Sequence, residues 1–175
     1  MPFLSTPLTL AASGGILGSA WLSGSIATHS IAAVPAILRT GAPAEGLLRG
    51  WSLQFERGRR LIPTSAAAIS LVYLALAQQH HASGVEWRGY AAAAAANLAL
   101  PPLTVLFIFG INARLNAALA AVDGPSAVDG PSAGAKPLVT AAEVRALIQR
   151  WSGLNAVRTV FPLAGAVFAL WNLLL

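Results

Sequence analysis

The sequence contains 175 residues, of which 56% are hydrophobic and only 10% are charged. Soluble domains average roughly 45–50% apolar and about 25% charged residues, so this composition excludes an ordinary soluble enzyme and indicates a membrane protein. The net charge is +5, but the 11 basic residues lie mostly between apolar runs, so no nucleic-acid partner is expected. Since cysteine is absent, disulfides, thiolate metal sites and cysteine redox chemistry are excluded.

Four apolar runs are each long enough to cross a bilayer as a helix, which takes roughly 17–25 residues. The predicted spans cover about residues 8–38, 62–79, 90–112 and 157–175. They predict an all-α fold, an integral membrane four-helix bundle that forms a single transmembrane domain over residues 1–175. Pro101 and Pro102 lie in the middle of the third span and predict a kink there.

The segments between the spans differ in character. Residues 39–61 are basic with aromatic residues at helical spacing, which predicts a short interfacial helix in the first cytoplasmic loop. Residues 121–134 hold the repeat AVDGPS-AVDGPS and predict a mobile low-complexity loop. Thr140 and Glu143 match a capping box, so a helix should begin there and lead into the fourth span.

The distribution of basic residues predicts the orientation in the membrane. The segments after the first and third spans, with the start of the fourth, hold ten of the 11 basic residues, and the turn between spans two and three holds only Arg88. Loops with excess Lys and Arg stay on the cytoplasmic side. Loops one and three are therefore predicted to be cytoplasmic, with both termini on the opposite side of the membrane.

Polar side chains near the basic ends of the spans mark a candidate site, because polar groups at membrane depth are costly and usually functional. Trp151, Asn155 and Arg158 are four and three residues apart and share one helix face. The predicted topology places them in the same leaflet as Trp51 and Asn112. These five side chains are candidates for the lining of one pocket.

His29 is the only ionisable side chain in the first span. It lies about ten residues inside Arg39, or ~15 Å along a helix, near the middle of the bilayer. A neutral imidazole is tolerable at that depth, whereas an imidazolium is costly unless it is paired. His29 therefore fits a base that is free at neutral pH, and it equally fits a histidine bonded to a helix neighbour such as Ser25.

Other polar residues also have two interpretations. Thr104 on the third span is either an interhelical hydrogen-bonding group or a substrate contact. Arg158 is either part of the site or an interfacial anchor that snorkels to the headgroups. His80 and His81 are expected in an exposed turn, and with only Glu86 nearby they make no convincing metal site.

The stretch Trp151-x-x-x-Asn155-x-x-Arg158-Thr159 resembles the anthrone oxygenase family, noranthrone monooxygenase-like four-helix integral membrane proteins of polyketide pathways. Further similar elements are Val34-Pro35-Ala36, Trp51 followed by Gly58 and Pro63, and Pro102-x-Thr104 leading to Asn112-x-x-Leu115. Together they cover most of the chain in the family's order. His29 and the repeat are not part of this pattern.

The resemblance implies that a hydrophobic aromatic polyketide, an anthrone, is oxidised to an anthraquinone by O₂, with no cofactor motif evident. Such chemistry needs a base, donors for an oxyanion and a dry planar slot. The catalytic candidates are His29 as the base and Asn112, Asn155 and Arg158 as donors to phenolate or peroxide oxygens. The substrate-binding candidates are Trp51, Trp151 and Thr104, and no metal ligands are assigned.

Two alternatives stay open at this point. One is a haem- or metal-dependent membrane oxidase that uses His29 as an axial ligand. The other is a non-catalytic membrane protein that binds a hydrophobic ligand in the same pocket. The expected partners are the polyketide substrate and the lipid bilayer, and whether the protein forms a homo-oligomer is left open.

Overall fold

The structure, a computed structural model, describes residues 6–123 and 140–175, which are helical almost throughout. In these two ranges the four long helices are α1 (Thr6–Arg39), α2 (Ala44–Ala82), α3 (Arg88–Asp123) and α4 (Ala141–Leu174). Each is long and apolar enough to cross a membrane, which confirms the predicted all-α bundle of four membrane-length helices.

The helices extend beyond the predicted spans at the arginine-rich end of the bundle. The segment predicted as a separate interfacial helix is not a separate element, because α2 begins at Ala44 and continues through Pro63. Its first turns are held by packing: Leu47 and Trp51 are fully buried in a cluster with side chains of the other three helices. Whether these turns lie at the membrane interface stays a prediction.

The segment around the repeat differs from the prediction at its edges. α3 continues to Asp123, so residues 121–123 of the predicted mobile loop are helical, and residues 124–134 lie outside the described residues. α4 begins after Thr140, whose hydroxyl accepts from the Glu143 N–H while the Glu143 carboxylate accepts from the Thr140 N–H. The predicted capping box is thus confirmed.

The middle of the bundle is held by close approach and by polar contacts between helices. A Cβ added at Gly165 of α4 would lie 2.5 Å from the Asn97 Nδ2 on α3, so only glycine permits this spacing. Asn97 Nδ2 also donates to Ser19 Oγ at 3.1 Å, and Ser19 Oγ lies 3.1 Å from the Tyr73 hydroxyl. These contacts link all four helices, as expected where lipid supplies no hydrophobic drive for helix association.

Helical geometry departs from the regular α-helical pattern in three of the helices. α1 contains a π-helical turn at His29–Ala33, and α3 contains another at Thr104–Ile108, just after the predicted kink at the proline pair. In α4 the regular pattern is interrupted at Thr159, between Arg158 and Val160. π-Helical turns are rare and frequently occur at functional sites.

Candidate active site

A cavity of about 290 Å³ lies between the four helices in the arginine-rich half of the bundle. Both π-helical turns contribute to its wall, and most of the wall is apolar. Six of the seven side chains that the sequence singled out line this cavity: His29, Thr104, Asn112, Trp151, Asn155 and Arg158. The structure therefore brings together side chains of α1, α3 and α4 that are distant in the sequence. The two most distant, His29 and Arg158, are 129 positions apart.

Trp51 does not line the cavity, although it was a candidate substrate contact. Its indole is fully buried behind the wall, stacked on Phe55 with ring centroids 4.9 Å apart. It also meets the Trp151 ring edge-on at 6.2 Å. Phe55, one helical turn later on the same face, occupies the wall instead. Trp51 thus supports two aromatic side chains that do face the cavity.

His29 is oriented by a side chain of the neighbouring helix. Its Nδ1 lies 3.2 Å from the Oε1 of Gln54 on α2, so its partner is Gln54 and not Ser25. In the tautomer that completes this contact, Nδ1 carries the proton, the Gln54 carbonyl oxygen accepts it, and Nε2 keeps its lone pair. On the α2 side, a Cβ at Gly58 would lie 3.6 Å from Nε2, so glycine keeps the approach to this nitrogen open.

Arg158 is a cation on an apolar wall. Its Nη1 donates to the Asn155 Oδ1 at 3.0 Å, and Asn155 Nδ2 donates to the Trp151 carbonyl at 3.0 Å. The Arg158 Nε is buried and has no hydrogen-bond partner. None of the ion pairs within residues 6–123 and 140–175 includes Arg158. A guanidinium in this state retains capacity for an anionic oxygen.

α3 contributes two polar groups with different capacities. Asn112 is nearly buried, and its Oδ1 has no hydrogen-bond partner. The Thr104 hydroxyl already donates to the Leu100 carbonyl at 2.7 Å within its own helix. Thr104 can therefore only accept a further hydrogen bond, whereas the Asn112 amide remains free to bond with a ligand.

Gln54, Phe55 and Arg59 line the cavity but were not identified as site residues from the sequence. The signal that could have identified Gln54 is its position, since it is a polar residue between Trp51 and Gly58. It lies on the side of α2 that faces α1. Arg59 is half exposed and bonds to the Glu56 carboxylate at 2.7 Å, so its charge is already paired. Arg158 is thus the cavity-lining arginine whose charge has no paired carboxylate in the described part of the chain.

The two histidines at the other end of α2, His80 and His81, differ in burial. His80 was expected to be exposed, but it is buried, with its Nδ1 3.0 Å from the Glu86 carbonyl oxygen. The hydrogen bond closes the turn between α2 and α3. Across the described ranges, no group of three or more His, Cys, Asp or Glu side chains is placed to hold a metal ion.

Four membrane-length helices around a mostly apolar cavity define a helical multi-pass membrane protein with an internal pocket. The anthrone oxygenase family model matches residues 51–168. The chain is 33% identical to the anthrone oxygenase encC of Aspergillus fumigatus, covering 89% of this chain and 88% of that protein. It is 30% identical to the monooxygenase hypC of Dothistroma septosporum, covering 89% and 78%.

A third relative, the anthrone oxygenase gedH of Aspergillus terreus, is 31% identical over 83% of this chain and 87% of its own length. No solved structure matches the chain. The protein belongs to the anthrone oxygenase family and is an oxidoreductase enzyme, as its sequence motifs predicted.

Proposed function

We propose that this protein oxidises an anthrone-type polyketide to an anthraquinone with O₂ and without an organic cofactor. One observation carries the proposal: Arg158 lies on the wall of a mostly apolar cavity with its Nε unpartnered. A flat, apolar molecule that develops negative charge on one oxygen would complement such a wall. The names of the relatives, anthrone oxygenases, agree with this chemistry.

The first step is removal of a proton from the substrate. An anthrone has an acidic CH₂ opposite its carbonyl, because the resulting anion is delocalised into the carbonyl oxygen. His29 Nε2 takes this proton while Gln54 holds the Nδ1–H, and the charge on the oxygen is stabilised by Arg158. A positioned general base contributes about 10²–10⁴-fold to such a step.

The second step uses O₂ as the oxidant. The anthrolate passes one electron to O₂, and the radical and superoxide recombine to form a C–O bond. The peroxide takes a proton to become a hydroperoxide, which loses the remaining C–H proton and hydroxide as water. Anthrone and O₂ thus give anthraquinone and water, so no external reductant is needed. Asn112 is the proposed donor to the peroxide oxygens, and Asn155 holds Arg158 in place.

The aromatic and apolar wall would hold the substrate and exclude water. Trp151 and Phe55 provide flat surfaces for the tricyclic ring, and Thr104 offers an acceptor to a substrate hydroxyl. Exclusion of water strengthens the interaction between the Arg158 guanidinium and the anthrolate. In the membrane, loops one and three are proposed to face the cytoplasm, with both termini on the opposite side.

The test is aerobic incubation of purified protein in nanodiscs with emodin anthrone. We expect uptake of one O₂ per anthrone, above the spontaneous rate, with formation of the coloured quinone. An absorption spectrum of the same sample tests the cofactor: a Soret band, or loss of activity with a chelator, would overturn the cofactor-free mechanism. Tight binding without O₂ uptake would instead favour the non-catalytic binding protein.

A further inference from the structure

A second space adjoins the cavity, between α3 and α4. This lateral cleft has a volume of about 190 Å³ and shares Ile108 and Arg158 with the cavity. The other side chains that line it are Leu103 and Phe107 of α3 and Leu154, Val157 and Phe161 of α4. Arg158 contributes carbon atoms to this lining, because almost all of the surface that faces the cleft is apolar.

The lateral cleft runs inward from the outer surface of the bundle to Ile108 and Arg158, the two side chains that it shares with the cavity. Phe107 is 58% and Val157 is 61% exposed at its outer edge, whereas Ile108 at the inner edge is 2% exposed. Each helix presents one stripe to the cleft: residues 154, 157, 158 and 161 of α4 have the spacing of a single helix face. On α3 the lining overlaps the π-helical turn Thr104–Ile108.

We propose that the lateral cleft is the entrance by which the flat aromatic substrate passes from the bilayer hydrocarbon into the cavity. This inference rests on the proposed function for the class of ligand. A hydrophobic tricyclic molecule partitions into the hydrocarbon, and the large apolar side chains around the cleft, such as Leu106 and Val160, are exposed to the same medium. The oxygen of the ring meets the Arg158 guanidinium only after the ring has entered the cavity.

Since apolar side chains line the cleft, the ring stays in an apolar environment along the whole path. No polar group has to lose bound water before the ring reaches Arg158. Ile108 and Phe107 would act as the inner and outer gates. Both residues lie in the π-helical turn Thr104–Ile108. Their backbone therefore lacks the regular hydrogen bonds of an α-helix at this point.

The experiment measures binding kinetics with 9,10-anthraquinone, which is not consumed. The protein is placed in nanodiscs, and quenching of tryptophan emission is followed under anaerobic stopped flow, since Trp151 lines the cavity. Val157→Phe should slow association by about five-fold or more while the equilibrium affinity changes by less than about two-fold, as expected for a gate. The matched control is Val167→Phe, because Val167 is a similarly exposed valine of α4 that lines neither the cleft nor the cavity. This variant should bind at the unsubstituted rate.

Phe107→Ala widens the cleft and should speed association, which keeps the test valid if Val157→Phe does not fold. Unchanged association rates in both variants would overturn the inference. Val105 of α3 is exposed and lines the cavity together with Pro63 of α2. Slow association in Val105→Phe alone would therefore place the entrance between α2 and α3 and overturn the inference as well. Absence of quenching in the unsubstituted protein would also contradict it, whereas O₂ uptake from an anthrone would still test the proposed function separately.

Discussion

The Nδ1 of His29 on α1 lies 3.2 Å from the Oε1 of Gln54 on α2. In the tautomer that completes this contact, Nε2 is the basic nitrogen. The Trp151 ring meets the imidazole edge-on at a centroid distance of 6.2 Å, so the ring plane is held from a third helix. The base in the proposed reaction is therefore positioned by two helices other than its own.

Replacing His29 with Phe should lower kcat by about 10²-fold, because the positioned base is lost while the ring shape is kept. The pH–rate profile should also lose its acid limb, since no imidazolium forms in the variant. Both are measured as initial O₂ uptake across pH. His81→Phe, an exposed histidine at the end of α2, is the control and should behave as the unsubstituted enzyme. An unaltered rate and profile in His29→Phe would show that His29 is not the base.

Replacing Arg158 with Ala should lower kcat/KM by about 10²–10³-fold, the usual effect of removing one donor to a developing oxyanion. Assembly in the membrane should be unaffected, because the Arg158 charge has no carboxylate partner among the residues that the structure describes. Arg150→Ala, an exposed arginine on the same helix, is the matched control. If Arg158→Ala instead prevents accumulation of folded protein, the interfacial-anchor interpretation gains support.

Replacing Trp51 with Ala should destabilise the protein by about 3–5 kcal/mol, because the indole is fully buried behind Phe55 and Trp151. Trp51→Phe should recover most of this loss. Thermal unfolding in one detergent, followed by circular dichroism, measures the difference. A rise in KM for Trp51→Ala with normal thermal stability would indicate that Trp51 contacts the substrate directly.

Replacing Gly165 with Ala should destabilise the bundle by about 1–3 kcal/mol, because the new Cβ would meet Asn97 Nδ2 at 2.5 Å and force α3 and α4 apart. Gly153→Ala is the matched change on the same helix. Nothing lies within 4 Å of a Cβ at Gly153, so this variant should be as stable as the unsubstituted protein or slightly more so. Equal melting temperatures for the two variants would contradict close packing at Gly165.

Local helix geometry accounts for what could be predicted of the site. The spacing of Trp151, Asn155 and Arg158 sets their common face whatever α4 packs against, and all three line the cavity. Trp51 illustrates the limit, because whether an aromatic ring faces a cavity or the next helix depends on how α2 sits against α4. Gln54 was missed for a related reason: its role exists only once α1 packs on α2.

The helix ends were missed because membrane hydropathy does not describe them. The first turns of α2 carry charged residues and do not resemble a membrane span. They stay helical because Leu47, Leu48 and Trp51 are buried against α3 and α4. Packing between distant parts of the chain thus decides where α2 begins, and a count of apolar residues in one segment contains no such information.

The π-helical turn of α3 makes Thr104–Ile108 the place where this helix tolerates a change of length. A π-helical turn accommodates one residue more than the α-helical turn it replaces, so deleting one residue there would restore regular α-helix and leave the later side chains of α3 close to their present faces. The same deletion between Phe109 and Asn112, where the helix is regular, would rotate Asn112 by about 100° and turn it away from the cavity while Thr104 stayed in place. One helix would thus accept the loss of a residue at one turn and lose half of its binding wall when the loss falls at the next.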